Sequence, residues 1–225
     1  MTHPSAPSGT VSCRGALPTT LVLALGASPA LAHHPMGGQT PATLMEGLLS
    51  GLGHPLIEPG HLLFLLGSAA AIACLPVARR QGMRLLTLFL VAGLIGTVAG
   101  AAGLSLPLQD AALALSLLLP AFVLGLSRIG AGARNVSAGT RWTGAAGLAG
   151  LVHGLVHGEA VVGAEPTPVL AYLAGLALLQ AGLLMAVWLP ASRLTPALRT
   201  RLRLPARAFA FALAGASTWL LVGAA

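Results

Sequence analysis

The chain contains six apolar runs that are each long enough to cross a lipid bilayer. About 20 helical residues span the hydrocarbon core. Only 8% of the residues are charged and 56% are hydrophobic, which is too little charge to cover the surface of a soluble domain of this length. The sequence therefore predicts an all-α integral membrane protein, a six-transmembrane-helix bundle. We place the spans at residues 47–77, 85–106, 110–127, 142–163, 168–189 and 206–224.

Two prolines, Pro55 and Pro59, interrupt the first run. Proline lacks a backbone N–H and disfavours helical geometry at the residue before it. Two arrangements are compatible with this pattern. The run is either one long broken span, or residues 44–57 form a re-entrant or interfacial segment before a shorter spanning helix.

The N-terminus has the pattern of a cleavable signal peptide over residues 1–32. A weakly basic start precedes a short apolar core at 15–27, and Ala30-Leu31-Ala32 matches an A-x-A cleavage site. Cleavage there leaves a transmembrane domain over 33–225. An uncleaved first helix is the alternative, which the short core and its small-residue tail disfavour.

The basic residues are all arginines, and they predict the orientation of the bundle. The net charge is +7, yet the arginines have no interleaved aromatic residues, so we expect no nucleic-acid partner. By the positive-inside rule the gaps that contain them are cytoplasmic. Both mature termini are then periplasmic, in a bacterial inner (cytoplasmic) membrane. The eleven arginines after the leader follow spans one, three and five: Arg79, Arg80, Arg84, Arg128, Arg134, Arg141, Arg193, Arg199, Arg201, Arg203 and Arg207.

Ionisable side chains inside the membrane are costly and tend to mark a site. In the first span His54, Glu58 and His61 have the spacing i, i+4 and i+7. On a continuous helix these side chains form one stripe. Two imidazoles and a carboxylate suit a divalent transition metal such as nickel, cobalt or zinc.

The fourth span contains a second histidine pair, His153 and His157, at the i, i+4 spacing that lets two imidazoles share one ion. Glu159 would point away from both on an ideal helix, and Glu165 is expected at the outer mouth. The two histidines at the new N-terminus could capture a metal or simply remain after cleavage. The predicted metal-binding residues are His54, Glu58, His61, His153, His157, Glu159, Glu165, His33 and His34.

In the segments that contain these histidines, residues 54–61 and 152–160, the sequence resembles the HupE/UreJ family of nickel/cobalt permeases. That family has a signal peptide and six helices. The family motifs are H-P-x-x-G-x-D-H in helix one and F-H-G-x-A-H-G-x-E in helix four. The chain resembles a divergent member, because both motif carboxylates are displaced. Gly60 stands at the aspartate position and Ala160 at the glutamate position. The matching residues are His54, Pro55, His61, His153, Gly154, His157 and Gly158.

The resemblance implies a membrane permease or facilitator that transports Ni²⁺ or Co²⁺ as substrate, with no tightly bound cofactor and no enzymatic activity. An intramembrane zinc-dependent hydrolase, with Glu58 or Glu159 as base, is one alternative. A non-transporting membrane accessory protein is the other. The sequence leaves open which metal is bound, whether the chain forms a homo-oligomer, and whether it has metalloenzyme-maturation partners.

Overall fold

A computed structural model describes residues 39–75, 77–126 and 136–223. The predicted signal peptide, His33 and His34 lie outside the described residues. Within them the chain is entirely helical and contains no strand, which confirms the all-α class. The helices are α1 (Leu44–Ile57), α2 (Pro59–Cys74), α3 (Arg79–Ala101), α4 (Gln109–Ser116), α5 (Leu118–Leu126), α6 (Val136–Glu159), α7 (Pro166–Ser192), α8 (Pro196–Arg201) and α9 (Arg203–Gly223).

The first predicted span is a pair of helices, α1 and α2, bent by 77°. The break falls at Glu58, whose backbone is extended (φ −89°, ψ 103°), and Pro59 occupies the first turn of α2. Proline disfavours helical angles at the preceding residue, which explains the position. Glu58 then caps α2, because its side chain accepts a hydrogen bond from the Gly60 N–H at 3.2 Å. Pro55 lies inside α1 without ending it.

The predicted third span, 110–127, is also divided, into α4 and α5 on either side of Leu117. Among the described residues three helices are long and apolar enough to cross a membrane: α3, α7 and α9. The bent pair α1–α2 passes the same test as a unit, which brings the number to four. The chain is therefore a membrane protein by length and composition, and the count of six spans stays a prediction.

Glycines bring α3 and α6 into backbone contact. A Cβ atom added to any of three α6 glycines would lie under 3.0 Å from a carbonyl oxygen of α3. Small residues allow such approach between membrane helices. The paired positions advance together along both helices, so α3 and α6 run parallel. The pairs are Gly150 with Phe89, Gly154 with Gly93, and Gly158 with Thr97.

A second glycine contact joins α1 to α7. Cβ atoms on Gly47 and Gly51 would collide with the carbonyl oxygens of Pro168 and Tyr172. These helices also run parallel, because the contact advances by four residues on each. The α1–α7 contact places the N-terminal half of α7 beside α1, which ends at the break with α2.

The apolar core extends from this region toward the end of the bundle where α3 begins. Phe64 of α2 packs against Phe89 of α3, with ring centroids 5.7 Å apart. Further along, Trp188 of α7 is 1% exposed and lies beneath the Arg79 guanidinium, 5.7 Å from the ring centroid. A cation over an indole face is a favourable contact. The arginine-bearing start of α3 therefore meets the C-terminal end of α7.

Candidate metal centre

Three histidines from three helices converge inside the bundle. His54 of α1, His61 of α2 and His157 of α6 each offer a ring nitrogen, and these atoms all lie within 4.8 Å of one another. Ring centroids are 5.4 Å apart for His54 and His61, 5.1 Å for His54 and His157, and 4.1 Å for His61 and His157. We call this set the histidine triad. All three side chains are buried, with exposures of 6%, 3% and 1% respectively.

The bend at Glu58 accounts for the approach of His54 and His61. On a straight helix, seven residues correspond to a rise of roughly 10 Å along the axis, so the two rings would lie well apart unless their side chains turned toward each other. The observed centroid separation is 5.4 Å. The sequence predicted that these residues lie on one stripe of a continuous helix. The 77° bend brings their rings closer together than a continuous helix would.

His157 is oriented by hydrogen bonds from its own helix and from α7. Its Nδ1 lies 2.5 Å from the His153 carbonyl oxygen, which can only accept, so Nδ1 bears the proton. The Nε2 atom of the neutral ring then has a lone pair available to a metal ion. The Tyr172 hydroxyl donates to the His157 carbonyl oxygen at 2.7 Å, and the Gln180 Nε2 lies 3.5 Å from the His157 Nε2. Such outer contacts fix the tautomer and ring orientation of a metal ligand.

His153 lies beside the triad and has different neighbours. Its ring stacks on Phe64, with centroids 3.5 Å apart and planes 7° from parallel. Its Nε2 lies 2.6 Å from the Ser116 hydroxyl, which donates its single proton to the Leu113 carbonyl. His153 is therefore the donor to Ser116, and its proton is on Nε2. The two α6 histidines thus adopt opposite tautomers, although their spacing predicted that they share one ion.

The predicted carboxylates lie outside the triad. Glu58 caps α2 and is half-buried. Glu159, at the end of α6, accepts a hydrogen bond of 2.6 Å from the Gln109 side chain at the start of α4. Glu165 is exposed at the N-cap of α7. Their roles as ligands stay predictions, as does that of His153.

Two residues of the centre, Tyr172 and Gln180, were not predicted from the sequence. Both lie on α7, eight residues apart, and both are buried, with exposures of 0% and 4%. The signal was a polar side chain in the middle of an apolar span, which is costly in hydrocarbon unless it has a partner. Neither side chain is a carboxylate or an imidazole, so neither was predicted as a site residue.

Three buried imidazoles form a donor set that nickel, cobalt and zinc accept when the rings are neutral. No curated protein and no solved structure gives a significant match to this chain. The model of the family described as HupE / UreJ protein matches residues 21–220. That match covers most of the chain and includes all three histidines of the triad. The chain belongs to the HupE/UreJ family.

Proposed function

We propose that this protein is a membrane permease for a divalent transition metal ion, nickel or cobalt, and that the histidine triad is its binding site. The observation that carries the proposal is the convergence of three buried imidazoles, with ring nitrogens within 4.8 Å of one another. Membership of the HupE/UreJ family supports a metal transport or accessory role in preference to an enzymatic one.

The chemistry of the triad suits a transported ion. Neutral imidazole nitrogen is a ligand for nickel and cobalt, whereas the hard ions Mg²⁺ and Ca²⁺ prefer oxygen. Burial of the three rings requires the ion to lose water before it binds, and nitrogen ligands replace that water. The triad therefore selects against the abundant hard cations.

Acidic side chains near the triad end of the bundle support entry from that side. Glu159 ends α6, two residues beyond His157, and exposed Glu165 precedes α7. Carboxylates raise the local concentration of cations by electrostatic attraction. In the proposed route an ion passes these groups, binds the triad, and leaves toward the arginine-bearing end past Phe64 and Phe89.

The test is accumulation of nickel and cobalt in cells that express the wild type, His54→Ala or His153→Ala at equal levels. We expect His54→Ala to abolish uptake, because it removes a triad ligand, and His153→Ala to reduce it. The control is Thr218→Ala on α9, an exposed residue whose hydroxyl bonds its own helix. Equal accumulation in all four strains would refute the proposal.

A metal-binding accessory protein is the second candidate, favoured by the near-complete burial of the triad. Such a protein would bind the ion and deliver it without moving it across the membrane. The purified protein in sealed vesicles separates the two functions. A permease accumulates ⁶³Ni²⁺ inside the vesicles, whereas an accessory protein retains only an amount of metal stoichiometric with itself.

A further inference from the structure

Gln180 is the one amide side chain of α7, and the structure brings it to the histidine triad. It is 4% exposed in the middle of a 27-residue apolar helix. Its Nε2 lies 3.5 Å from the Nε2 of His157, the nitrogen whose lone pair is available to a metal ion. A buried amide at this depth requires polar partners, and the partner here is a member of the triad.

The amide nitrogen and a metal ion compete for the same lone pair of His157. When the ion takes this lone pair, the Gln180 N–H group loses its acceptor. Rotation of the amide by about 180° exchanges its nitrogen for its oxygen, since the two ends of the group are nearly the same size. The exchange directs a carbonyl oxygen, which is a metal ligand, toward the position that the nitrogen held.

The Oε1 end of the Gln180 amide faces a glycine of α3. The Gln180 Oε1 lies beside Gly93 of α3, where an added Cβ would be 3.9 Å away. Gly93 has no side chain, so the amide borders bare backbone on this side.

A triad of nitrogen ligands also needs at least one further donor, because nickel, cobalt and zinc bind four or more ligands.

We infer that Gln180 is a ligand of the transported ion, with its amide oxygen completing the coordination by His54, His61 and His157. The inference rests on the proposed function, since it assumes that the triad binds a metal. It adds α7 to the helices that hold the ion. A neutral oxygen adds no charge, so Gln180 completes the ligand set without the carboxylates that the family motifs contain and this chain has displaced.

Two substitutions test this role on the full-length protein purified in detergent, with Co²⁺ alone as the probe. Binding affinity and the visible d–d absorption of bound Co²⁺ are measured together, because the spectrum reports the number and kind of ligands. Gln180→Leu removes the oxygen, so we expect affinity to fall about tenfold and the spectrum to change. Gln180→Glu keeps an oxygen ligand but removes the N–H donor, so we expect Co²⁺ affinity at least equal to that of the wild type.

The control is Gln81→Leu, the same substitution on half-buried Gln81 in the first turn of α3, at the arginine-bearing end. It should match the wild type in affinity and spectrum. Thermal unfolding without Co²⁺ verifies that each variant is folded, and Gln180→Glu, which is isosteric, keeps the test valid if Gln180→Leu does not fold.

Four outcomes would overturn the ligand role. Weaker binding by Gln180→Glu would mean that the N–H donor, and not the oxygen, matters. An unchanged spectrum in Gln180→Leu would mean that Gln180 only positions His157. Wild-type protein that binds no Co²⁺ would overturn the proposed function as well. Wild-type binding that His54→Ala abolishes and Gln180→Leu leaves intact would refute the inference alone.

Discussion

The helix contact α3–α6 and the helix break α1–α2 both position histidines of the triad, but they do so by different means. Helix α6 is continuous, and its glycines hold it in backbone contact with α3, so His157 has a fixed location. Helices α1 and α2 are joined by one extended residue, Glu58, at a 77° bend. His157 and His54 therefore both lie on helices held by glycine contacts, with α3 and α7 respectively, whereas the position of His61 relative to His54 depends on the break at Glu58.

The largest expected effect comes from disrupting the glycine contact between α3 and α6. In Gly154→Val the new side chain collides with the Gly93 carbonyl oxygen, and neither backbone can yield without separating the helices. We expect the free energy of unfolding to fall by roughly 3 kcal/mol or more, since overpacking against backbone has no side chain to displace. Thermal unfolding in detergent micelles measures this change.

Gly144→Val is the matched control, because it makes the same substitution in the same helix where nothing lies within 4 Å of an added Cβ. It should change the free energy of unfolding by less than about 1 kcal/mol, because valine meets no neighbour there and is no poorer a helix former than glycine. Equal losses of stability in the two variants would show that the α3–α6 contact does not support the fold.

The next largest effect is expected at the break between α1 and α2. Pro59→Ala restores a backbone N–H and relieves the restriction on Glu58, so α1 and α2 can merge into one helix and draw His61 away from His54. We expect Co²⁺ affinity to fall about tenfold with little change in unfolding temperature. Pro166→Ala, which changes another exposed proline in the first turn of a helix, should leave affinity unaltered. An unchanged affinity in Pro59→Ala would mean that packing, and not the proline, holds the bend.

A smaller effect is expected from the hydrogen bond that orients His153. Ser116→Ala removes the acceptor of the His153 N–H and leaves the triad itself intact. We expect nickel uptake to fall by a factor of about 3, less than the losses typical for direct support of a ligand. The control is Ser192→Ala, whose hydroxyl also donates to its own helix, at the arginine-bearing end. A loss as complete as that in His54→Ala would make His153 a full member of the binding site.

The smallest effect is expected at Glu159, the last residue of α6, which lies outside the triad. Glu159→Gln keeps an oxygen acceptor for Gln109 and removes the charge, so the unfolding free energy should change by about 1 kcal/mol or less. Co²⁺ affinity should stay within about twofold of the wild type, a change too small to reflect a lost ligand. A loss of affinity comparable with that of a triad variant would establish Glu159 as a ligand.

Much of the fold could be predicted because membrane helices leave a strong signal. The apolar runs at 85–106, 168–189 and 206–224 overlap α3, α7 and α9, and Pro59 marked the site of the bend. The family resemblance, drawn from two short motifs, is confirmed. The division of the third span at Leu117 was not predicted, although Pro120 lies three residues further on and cannot donate a backbone hydrogen bond to the Ser116 carbonyl.

The site was harder to predict because its contacts cross helices. The histidines themselves were identified from their cost in hydrocarbon. Their spacing could not reveal that His157 directs Nδ1 to the His153 carbonyl, so that the two residues differ in tautomer. It also could not reveal that Gln180 meets His157, since α7 approaches α6 only through three-dimensional packing. Sequence spacing orders residues within one helix, whereas ligand sets form between helices.

Burial of the triad has a kinetic consequence. All three rings are 6% exposed or less, and Phe64 and Phe89 pack together on the arginine side, so the described side chains enclose the triad. In the proposed permease, each ion would therefore wait for the helices to part on one side and then on the other. Flux should therefore saturate with metal concentration and respond steeply to temperature, as in a carrier that handles ions one at a time, with a turnover far below that of an open pore.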